Sequence, residues 1–297
     1  LYPRLVRQED PEKYYQPASP YTSNELENAP KDNCGWDWAG DQHPWSVGFL
    51  NKDHREYRRM ECRFPNEGGI LGPVSLPTML DCTGGKETDY VDSMSWEIHD
   101  NMEHFWKDGS SPDEDTAFWM QLRPSDMPLS DYAFAGGIVQ GEGLSDYIDN
   151  FRRRAFDSAS AIFWMYNDCW PASRSWTIVD YRLNRTPSFY HVKRAFRPLR
   201  VVPVREDNGD VAIYGVNGTL ETFSGELRFG VFTCTGEYLT DETQTVTLPP
   251  NASVRIAVIP AAESVESDIP FAVLSDPSGR EISRNRLLDL RYFEYAF

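Results

Sequence analysis

The spacing of apolar residues changes near Arg197, and this change constrains the fold more than any other feature of the chain. Before it, apolar runs of strand length alternate with segments whose apolar residues recur every three or four positions. This alternation predicts a parallel α/β architecture. After it, short β-rich segments recur about every 10 to 15 residues between Asn-Gly and Pro-Pro turns, which predicts an antiparallel sandwich. We therefore expect two domains, residues 1–197 and 198–297, with the boundary near Pro198.

The predicted elements follow from these two patterns. In the first part we expect an irregular connection at 21–42 and strands at 13–20, 57–69 and 161–168. Helices are expected at 86–106, 142–158 and 188–196, with loop or short helical pieces at 107–131. In the second part the expected strands are 201–204, 211–216, 225–232, 243–248, 254–259, 271–274 and 292–297.

Charge and aromatic content narrow the class of partner. A formal net charge of −17 repels a nucleic-acid backbone or an anionic membrane, so we expect neither as a partner. A neutral carbohydrate fits better, because aromatic residues make up 13% of the chain, with nine Trp, and sugars stack their apolar faces on aromatic rings. The alternative is that these aromatic residues form an ordinary core.

The Cys and His residues give no indication of a metal or cofactor. The five Cys include no Cys-x-x-Cys pair, and the His spacing suggests no zinc site. An odd number of Cys also excludes a complete disulfide framework. No apolar run approaches the roughly 20 residues that a membrane-spanning helix needs, and no stretch resembles a signal peptide.

The first candidate for chemistry is Glu67, which lies between the strand-like residues Arg63 to Asn66 and the pair Gly68-Gly69. A barrel enzyme presents a catalytic acid in this way, because a strand carries the acid to the C-terminal face and small residues let the next loop turn away. The alternative is a solvated loop carboxylate.

Two further segments carry side chains suited to a sugar site. The predicted strand at 161–168 ends in Trp164, Asn167 and Asp168, which are aromatic and polar groups of the kind that bind sugars. Asp41, His43 and Trp45 cluster at a junction of loop and strand, where they can hold hydroxyl groups. The alternative for this trio is a turn stabilised by Asp41, with Trp45 in the core.

The order of several motifs resembles the C-terminal part of family 2 glycoside hydrolases, in the branch of β-mannosidases and exo-β-glucosaminidases. The similar segments cover most of residues 10–198 and occur in the order of that family. They are Asp10-Pro11 to Pro20, Gly40-Asp41-x-His43-x-Trp45, Arg63-Phe64-x-x-Glu67-x-Gly69 with Pro77, Trp164-x-x-Asn167-Asp168-x-Trp170-Pro171, Ser175-Trp176, Asp180-Tyr181 and Tyr190-x-x-Lys193-Arg194.

This resemblance implies the C-terminal half of a (β/α)8 TIM barrel followed by an immunoglobulin-like β-sandwich. It implies a retaining exo-β-glycosidase, with Glu67 as the nucleophile on the seventh strand and Trp164 as an aromatic floor under the sugar on the eighth. The trio of Asp41, His43 and Trp45 would shape the same subsite, after the sixth strand. One departure is Gly68, since the family usually has an aromatic residue after the nucleophile.

The resemblance also implies a second carboxylate, the Glu of an Asn-Glu pair on the fourth strand. The pair Asn24-Glu25 does not fit this role, because it follows the segment that matches the fifth strand and precedes Glu67 by only 42 residues (67 minus 25), where three barrel units need roughly 90. We therefore expect the acid/base upstream of Leu1. The start without an initiator Met predicts a processed protein or a piece of a longer one, and the other half of the barrel is the expected partner.

Three functions stay open at this point. The first is hydrolysis of terminal β-mannosides, and the second is an exo-β-glucosaminidase of the same family. The third, from another class, is a noncatalytic carbohydrate-binding or assembly module. The resemblance by itself implies an extracellular, periplasmic or lysosomal location.

Overall fold

The computed structural model describes residues 1–20, 40–50, 53–91, 93–101 and 112–295. Most of the predicted connection at 21–42 therefore lies outside the described residues, and the pair Asn24-Glu25 lies wholly outside them. The helices are α1 (Tyr2–Glu9), α2 (Ser46–Leu50), α3 (Leu76–Cys82), α4 (Met94–His99), α5 (Pro112–Met120), α6 (Leu129–Arg153) and α7 (Pro187–Ala195). Single turns of 3-10 helix occur at His54–Arg59, Pro124–Asp126, Ala261–Glu263 and Tyr292–Glu294.

Three extended segments of the first part lie side by side and run parallel. Gln42 N donates to Phe64 O at 3.0 Å, and Asn66 N donates back to Gln42 O at 3.1 Å. On the other side of the middle segment, Ala159 N donates to Arg63 O and Trp164 N donates to Gly68 O, both at 2.8 Å. The spatial order is thus residue 42, then 63–69, then 159–164. In the described part of residues 1–197, the only regular strands are the short antiparallel pair β1 (Gly72–Pro73) and β2 (Arg174–Ser175).

Helix α6 organises the packing of this part, and it is longer than the predicted helix at 142–158. It begins at Leu129 and continues through four glycines, which lower helix propensity but act here as contact points. A Cβ at Gly137 would lie 2.8 Å from Pro187, and a Cβ at Gly141 would lie 2.7 Å from His191. The absence of side chains at these positions lets α7 approach α6 closely.

Other predicted elements are corrected by the structure. The predicted strand at 57–69 is not a regular strand. His54–Arg59 form a 3-10 helix, and the residues from Arg63 to Gly68 make only single backbone hydrogen bonds to the neighbouring segments. The predicted helix at 86–106 shrinks to α4, which begins after Ser93, whose Oγ accepts from Trp96 N at 3.1 Å; residues 102–106 lie outside the described ranges. Residues 13–20 form no strand. The predicted helix at 188–196 is confirmed as α7.

The second part is a sandwich of two antiparallel sheets, which confirms the predicted immunoglobulin-like architecture. One sheet has the order β3-β4-β7 and the other β6-β5-β8-β9. The strands are β3 (Leu199–Arg205), β4 (Val211–Asn217), β5 (Phe223–Phe232), β6 (Tyr238–Leu248), β7 (Ala252–Ile259), β8 (Ile269–Ser275) and β9 (Glu281–Arg286). Apolar residues of both sheets form the core between them, including Val201, Ile213, Leu227, Leu248 and Leu274.

The last predicted strand, 292–297, is wrong. Residues Tyr292–Glu294 form a 3-10 helix, and 296–297 lie outside the described residues. The seventh strand is β9, an edge strand next to β8. Sequence analysis missed it because its sequence, Glu-Ile-Ser-Arg-Asn-Arg, has almost no apolar residues, and edge strands tolerate such charge.

Buried polar contacts join the two parts of the chain. Arg200 of β3 donates to both oxygens of Asp149 of α6, at 3.0 and 2.7 Å. Both side chains are buried, and Asn285 of β9 donates to the same carboxylate at 3.0 Å. This contact ties α6 to both sheets of the sandwich.

Candidate active site

The parallel segments bring the carboxylate of Glu67 beside the trio predicted from the sequence. Trp45 Nε1 donates to Glu67 Oε2 at 3.2 Å, and His43 Nδ1 lies 3.4 Å from the same oxygen. The Glu67 side chain is 33% exposed, so solvent or a ligand can reach it. Within the described residues, Oε2 accepts no further hydrogen bond and Oε1 accepts none. Among the residues that the structure describes, one oxygen is therefore held by the protein and the other accepts no hydrogen bond.

Asp41 lies behind His43 and is buried. Its Oδ1 accepts from Gln16 Nε2 at 2.8 Å, and its Oδ2 accepts from Ser19 Oγ at 2.5 Å and from Asn66 Nδ2 at 2.9 Å. Three side chains from distant positions thus converge on one carboxylate.

Ser19 connects this carboxylate to the imidazole. Its Oγ lies 3.0 Å from His43 Nε2 and accepts from Asn66 Nδ2 at 3.1 Å. Gln16, Ser19 and Asn66 were not predicted as site residues. Ser19 stands in a segment of the family resemblance and Asn66 directly precedes Glu67, but sequence spacing gives no sign that they meet at Asp41.

The two glycines after Glu67 are required by close contacts. Gly68 has φ +150°, and a Cβ there would lie 2.8 Å from Cε2 of Tyr147. The Tyr147 hydroxyl donates to Ile162 O at 2.6 Å, which fixes the ring in that position. The space for a side chain at position 68 is therefore occupied. A Cβ at Gly69 would lie 2.3 Å from the carbonyl oxygen of Trp164.

Trp45, which donates to the Glu67 carboxylate, contacts a second aromatic ring. Trp45 packs edge-on against Trp176, with 5.8 Å between ring centroids. Trp164 is 44% exposed, and its backbone N donates to Gly68 O, so it enters this region next to the residue that follows Glu67. Trp176 was not predicted as a site residue, although it stands in a motif of the resemblance.

The remaining two predicted residues differ in exposure. Asn167 is exposed, and its side chain donates to Asp168 O at 3.2 Å. Asp168 is buried, and its carboxylate accepts from Ser175 Oγ and Thr177 Oγ1, both at 2.7 Å. Burial raises the pKa of Asp168, and these two hydrogen bonds lower it by less. Asp168 thus anchors the segment at β2.

Beside the site runs an apolar groove of about 550 Å³, lined by Phe64, Ala161, Ile162, Phe163, Tyr166 and Phe196. Ile162 is 51% exposed and Tyr166 60%. Ile162 lies on the outer one of the three parallel segments and Tyr166 follows it, so an apolar surface is exposed there.

Neither a candidate metal centre nor a helix able to cross a membrane occurs among the residues that the structure describes. In the described ranges, no three His, Cys, Asp or Glu side chains are placed to hold a metal ion together. Among the described helices, none combines the length and apolar character that a bilayer crossing requires.

Protein families and curated sequences include relatives of this chain. Residues 209–286 match the family model of the mannosidase Ig/CBM-like domain. β-Mannosidase B of Emericella nidulans is 28% identical over 217 residues, which are 72% of this chain and 24% of that protein. β-Mannosidase B of Aspergillus terreus is 27% identical over the same length. The chain therefore spans about a quarter of the length of these curated relatives.

Solved structures show a similarity to the same class of protein. The β-D-mannosidase of Dictyoglomus thermophilum superposes with a TM-score of 0.80 and 25% identity, covering 98% of this chain and 34% of that one. The exo-chitosanase of Amycolatopsis orientalis shares the fold, with a TM-score of 0.63, 17% identity, and coverage of 81% of this chain and 30% of that one. These comparisons confirm the resemblance to the C-terminal part of family 2 glycoside hydrolases.

Proposed function

Starting from the similarity to the C-terminal part of family 2 glycoside hydrolases, we propose that this chain carries the nucleophile of a retaining exo-β-glycosidase. The observation that supports this most directly is the environment of Glu67. Its Oε2 is held by Trp45 and lies close to His43, and its Oε1 accepts no hydrogen bond among the described residues. A carboxylate fixed through one oxygen presents the other for attack on a sugar.

The proposed reaction has two steps. Glu67 Oε1 attacks the anomeric carbon while the bond to the leaving oxygen breaks and that oxygen takes a proton from an acid residue. The glycosyl-enzyme ester is then cleaved by water, which the same residue deprotonates as a base. Retaining enzymes place the two carboxyl groups about 5 to 5.5 Å apart.

We propose that the acid/base residue comes from outside residues 1–297. The relatives that match this chain are about three times as long, since the 217 matched residues are 24% of their length. In the described part of the chain, no second carboxylate contacts the Oε1 side of Glu67. The same argument gives residues 1–197 as the C-terminal half of a (β/α)8 barrel and residues 198–297 as the sandwich domain that follows it.

The partner proposed here is the other half of that barrel. One stretch of the chain carries three exposed side chains, those of Ile162, Trp164 and Tyr166, and the apolar groove lies beside them. Covering apolar surface releases roughly 25 cal/mol per Å², so strands packed on this side would stabilise the molecule. These strands would belong to the same polypeptide or to a partner chain.

Terminal β-mannosides are the proposed substrates. The solved β-D-mannosidase superposes more closely than the exo-chitosanase, with TM-scores of 0.80 and 0.63. The second candidate is an exo-β-glucosaminidase. Trp164, Asp41, His43, Trp45, Asn167 and Asp168 remain proposed contributors to the sugar subsite, and Asp41 and Asp168 would act from buried positions. A noncatalytic binding module is the alternative from another class.

The test is release of nitrophenol from aryl β-mannosides and β-glucosaminides. The release is measured for the chain alone and for the chain joined to the proposed other half of the barrel. We expect turnover only with the completed barrel, and Glu67→Gln should lower it by at least about a thousandfold. The matched control is Glu226→Gln, an exposed Glu of β5, which should retain full activity.

Labelling identifies the attacking residue independently. A 2-fluoro mannosyl fluoride slows the second step, so the glycosyl ester accumulates, and mass spectrometry of peptides should place it on Glu67. Faster hydrolysis of the glucosaminide would support the second candidate. No turnover and no label in the completed protein would leave the noncatalytic module.

A further inference from the structure

A cavity of about 520 Å³ lies where helices α6 and α7 meet the sheet β6-β5-β8-β9 of the sandwich. Pockets of this size hold small organic molecules. We propose that this cavity binds an acidic sugar, that is, a sugar that carries a carboxylate. None of the residues that line the cavity belongs to the candidate active site, so it is a site separate from the one at Glu67. Binding there does not depend on the proposed function.

The sheet lines the cavity with the face that points away from the core of the sandwich. Along β8, Ala272 and Leu274 belong to the core between the two sheets, whereas Phe271 and Val273 line the cavity. This division follows from the geometry of a strand, in which successive side chains point to opposite faces. One face of the sheet therefore stabilises the sandwich, and the other face forms a wall of the cavity.

The lining of the cavity is rich in guanidinium groups, which stay protonated in proteins. It contains one acidic residue, Glu142, and five arginines, which are Arg194, Arg200, Arg228, Arg284 and Arg286. Arg286 donates to Glu142 at 2.9 Å. The carboxylates that pair with Arg200, Arg228 and Arg284 do not line the cavity. In a chain with a formal net charge of −17, this arrangement makes the cavity a local site for an anion.

Arg194 of α7 supplies the positive charge that the protein does not balance. The other four arginines of the lining each pair with a carboxylate, whereas Arg194 is exposed and forms no ion pair within the described ranges. Burial lowers the pKa of Arg194; Glu142 opposes this effect, and Arg200 and Arg286 add to it. A carboxylate in the cavity would offset the repulsion between these cations, and guanidinium groups bind carboxylates through two parallel hydrogen bonds.

Aromatic rings in the same cavity favour a sugar over a bare ion. Tyr238 is 53% exposed, and its ring packs edge-on against Phe271 with 5.5 Å between centroids. The guanidinium of Arg228 lies 5.0 Å from the centroid of the Tyr238 ring. An apolar ring beside fixed cations can contact the C–H face of a sugar while the cations bind its carboxylate. A small inorganic anion would use the cations alone.

The test is isothermal titration calorimetry of the chain with methyl β-glucuronide and with methyl β-glucoside, in which a hydroxymethyl group replaces the carboxylate. At pH 7 we expect a dissociation constant of about 1 mM or below for the glucuronide and binding at least about tenfold weaker for the glucoside. Arg194→Gln should weaken glucuronide binding about tenfold. The matched control is Lys193→Gln, which removes the same charge from the neighbouring exposed position of α7 and should change the affinity by less than about twofold.

A second pair of variants tests the aromatic wall. Tyr238→Ala should weaken glucuronide binding about tenfold, whereas Tyr238→Phe, which keeps the ring, should bind as the unsubstituted chain does. No binding of the glucuronide, equal binding of the glucoside, or an affinity unaffected by Arg194→Gln would overturn the proposal. Acetate and inorganic phosphate, titrated separately, should bind more weakly than the glucuronide, and equal affinity would overturn the assignment to a sugar. The titration measures no hydrolysis, so its result is separate from that of the proposed function.

Discussion

Gly69 lies two residues after the candidate nucleophile Glu67, where its backbone is in close contact with the backbone of Trp164. A Cβ at this position would lie 2.3 Å from the carbonyl oxygen of Trp164, and neither backbone is free to move aside as a side chain could. Gly69→Ala should therefore lower the free energy of unfolding by about 2–4 kcal/mol. Urea unfolding followed by Trp fluorescence measures this.

The matched control at the residue scale is Gly218→Ala. A Cβ at Gly218 would lie 3.4 Å from Pro198 O, which is an ordinary contact distance. We expect a change within about 1 kcal/mol there. Equal unfolding midpoints for the two variants would show that the segments at 63–69 and 159–164 are not in this contact.

At the scale of elements, Asp180 joins the start of α3 to the turn before α7. Its buried carboxylate accepts from Ser75 and from Thr78 at 2.8 Å, and from the backbone N of Arg182 and Asn184 at 3.0 and 2.8 Å. Burial raises the pKa of Asp180, but the hydrogen bonds from Ser75, Thr78 and Asn184 outweigh it, so the folded pKa lies below its usual range.

The sign of the pH dependence follows from this direction. A pKa that is lower in the folded state means that the unfolded chain binds the proton more readily. The stabilisation is complete above the unfolded value of about 4 and is lost as pH falls below it. Asp180→Asn should cost about 2–4 kcal/mol at pH 7 and less at pH 3.5. Asp157→Asn is the control, because Asp157 is 86% exposed; a cost for Asp180→Asn that is independent of pH would contradict the prediction.

At the scale of the whole molecule, the pair of Arg200 and Asp149 holds the two parts of the chain together. Replacing Arg200 by Met leaves the Asp149 charge buried, with Asn285 still donating to it from the sandwich. Removing one partner of a buried ion pair costs about 3–5 kcal/mol, so Arg200→Met should lower the unfolding midpoint strongly. Arg228→Met breaks a similar bidentate pair with Asp241 that is 43% and 37% exposed, and it should cost about 0–1 kcal/mol.

Several features could be predicted from the sequence because local patterns determine them. The strands of the sandwich follow from β-branched residues between turns, since each strand buries one face against the other sheet. Helix α7 follows from its apolar spacing and from Pro187 at its start. The sequence also singled out Glu67, because an acid before two glycines is a local pattern.

Tertiary structure decided the rest. The glycines of α6 lower helix propensity, and only the contacts with Pro187 and His191 explain why the helix continues through them. The contacts that run from Asp41 through Ser19 and His43 to Glu67 join positions up to 48 residues apart (67 minus 19). No spacing rule reports such contacts, because they depend on how parallel segments lie side by side. Local sequence thus determined which groups are present, and packing decided which of them meet.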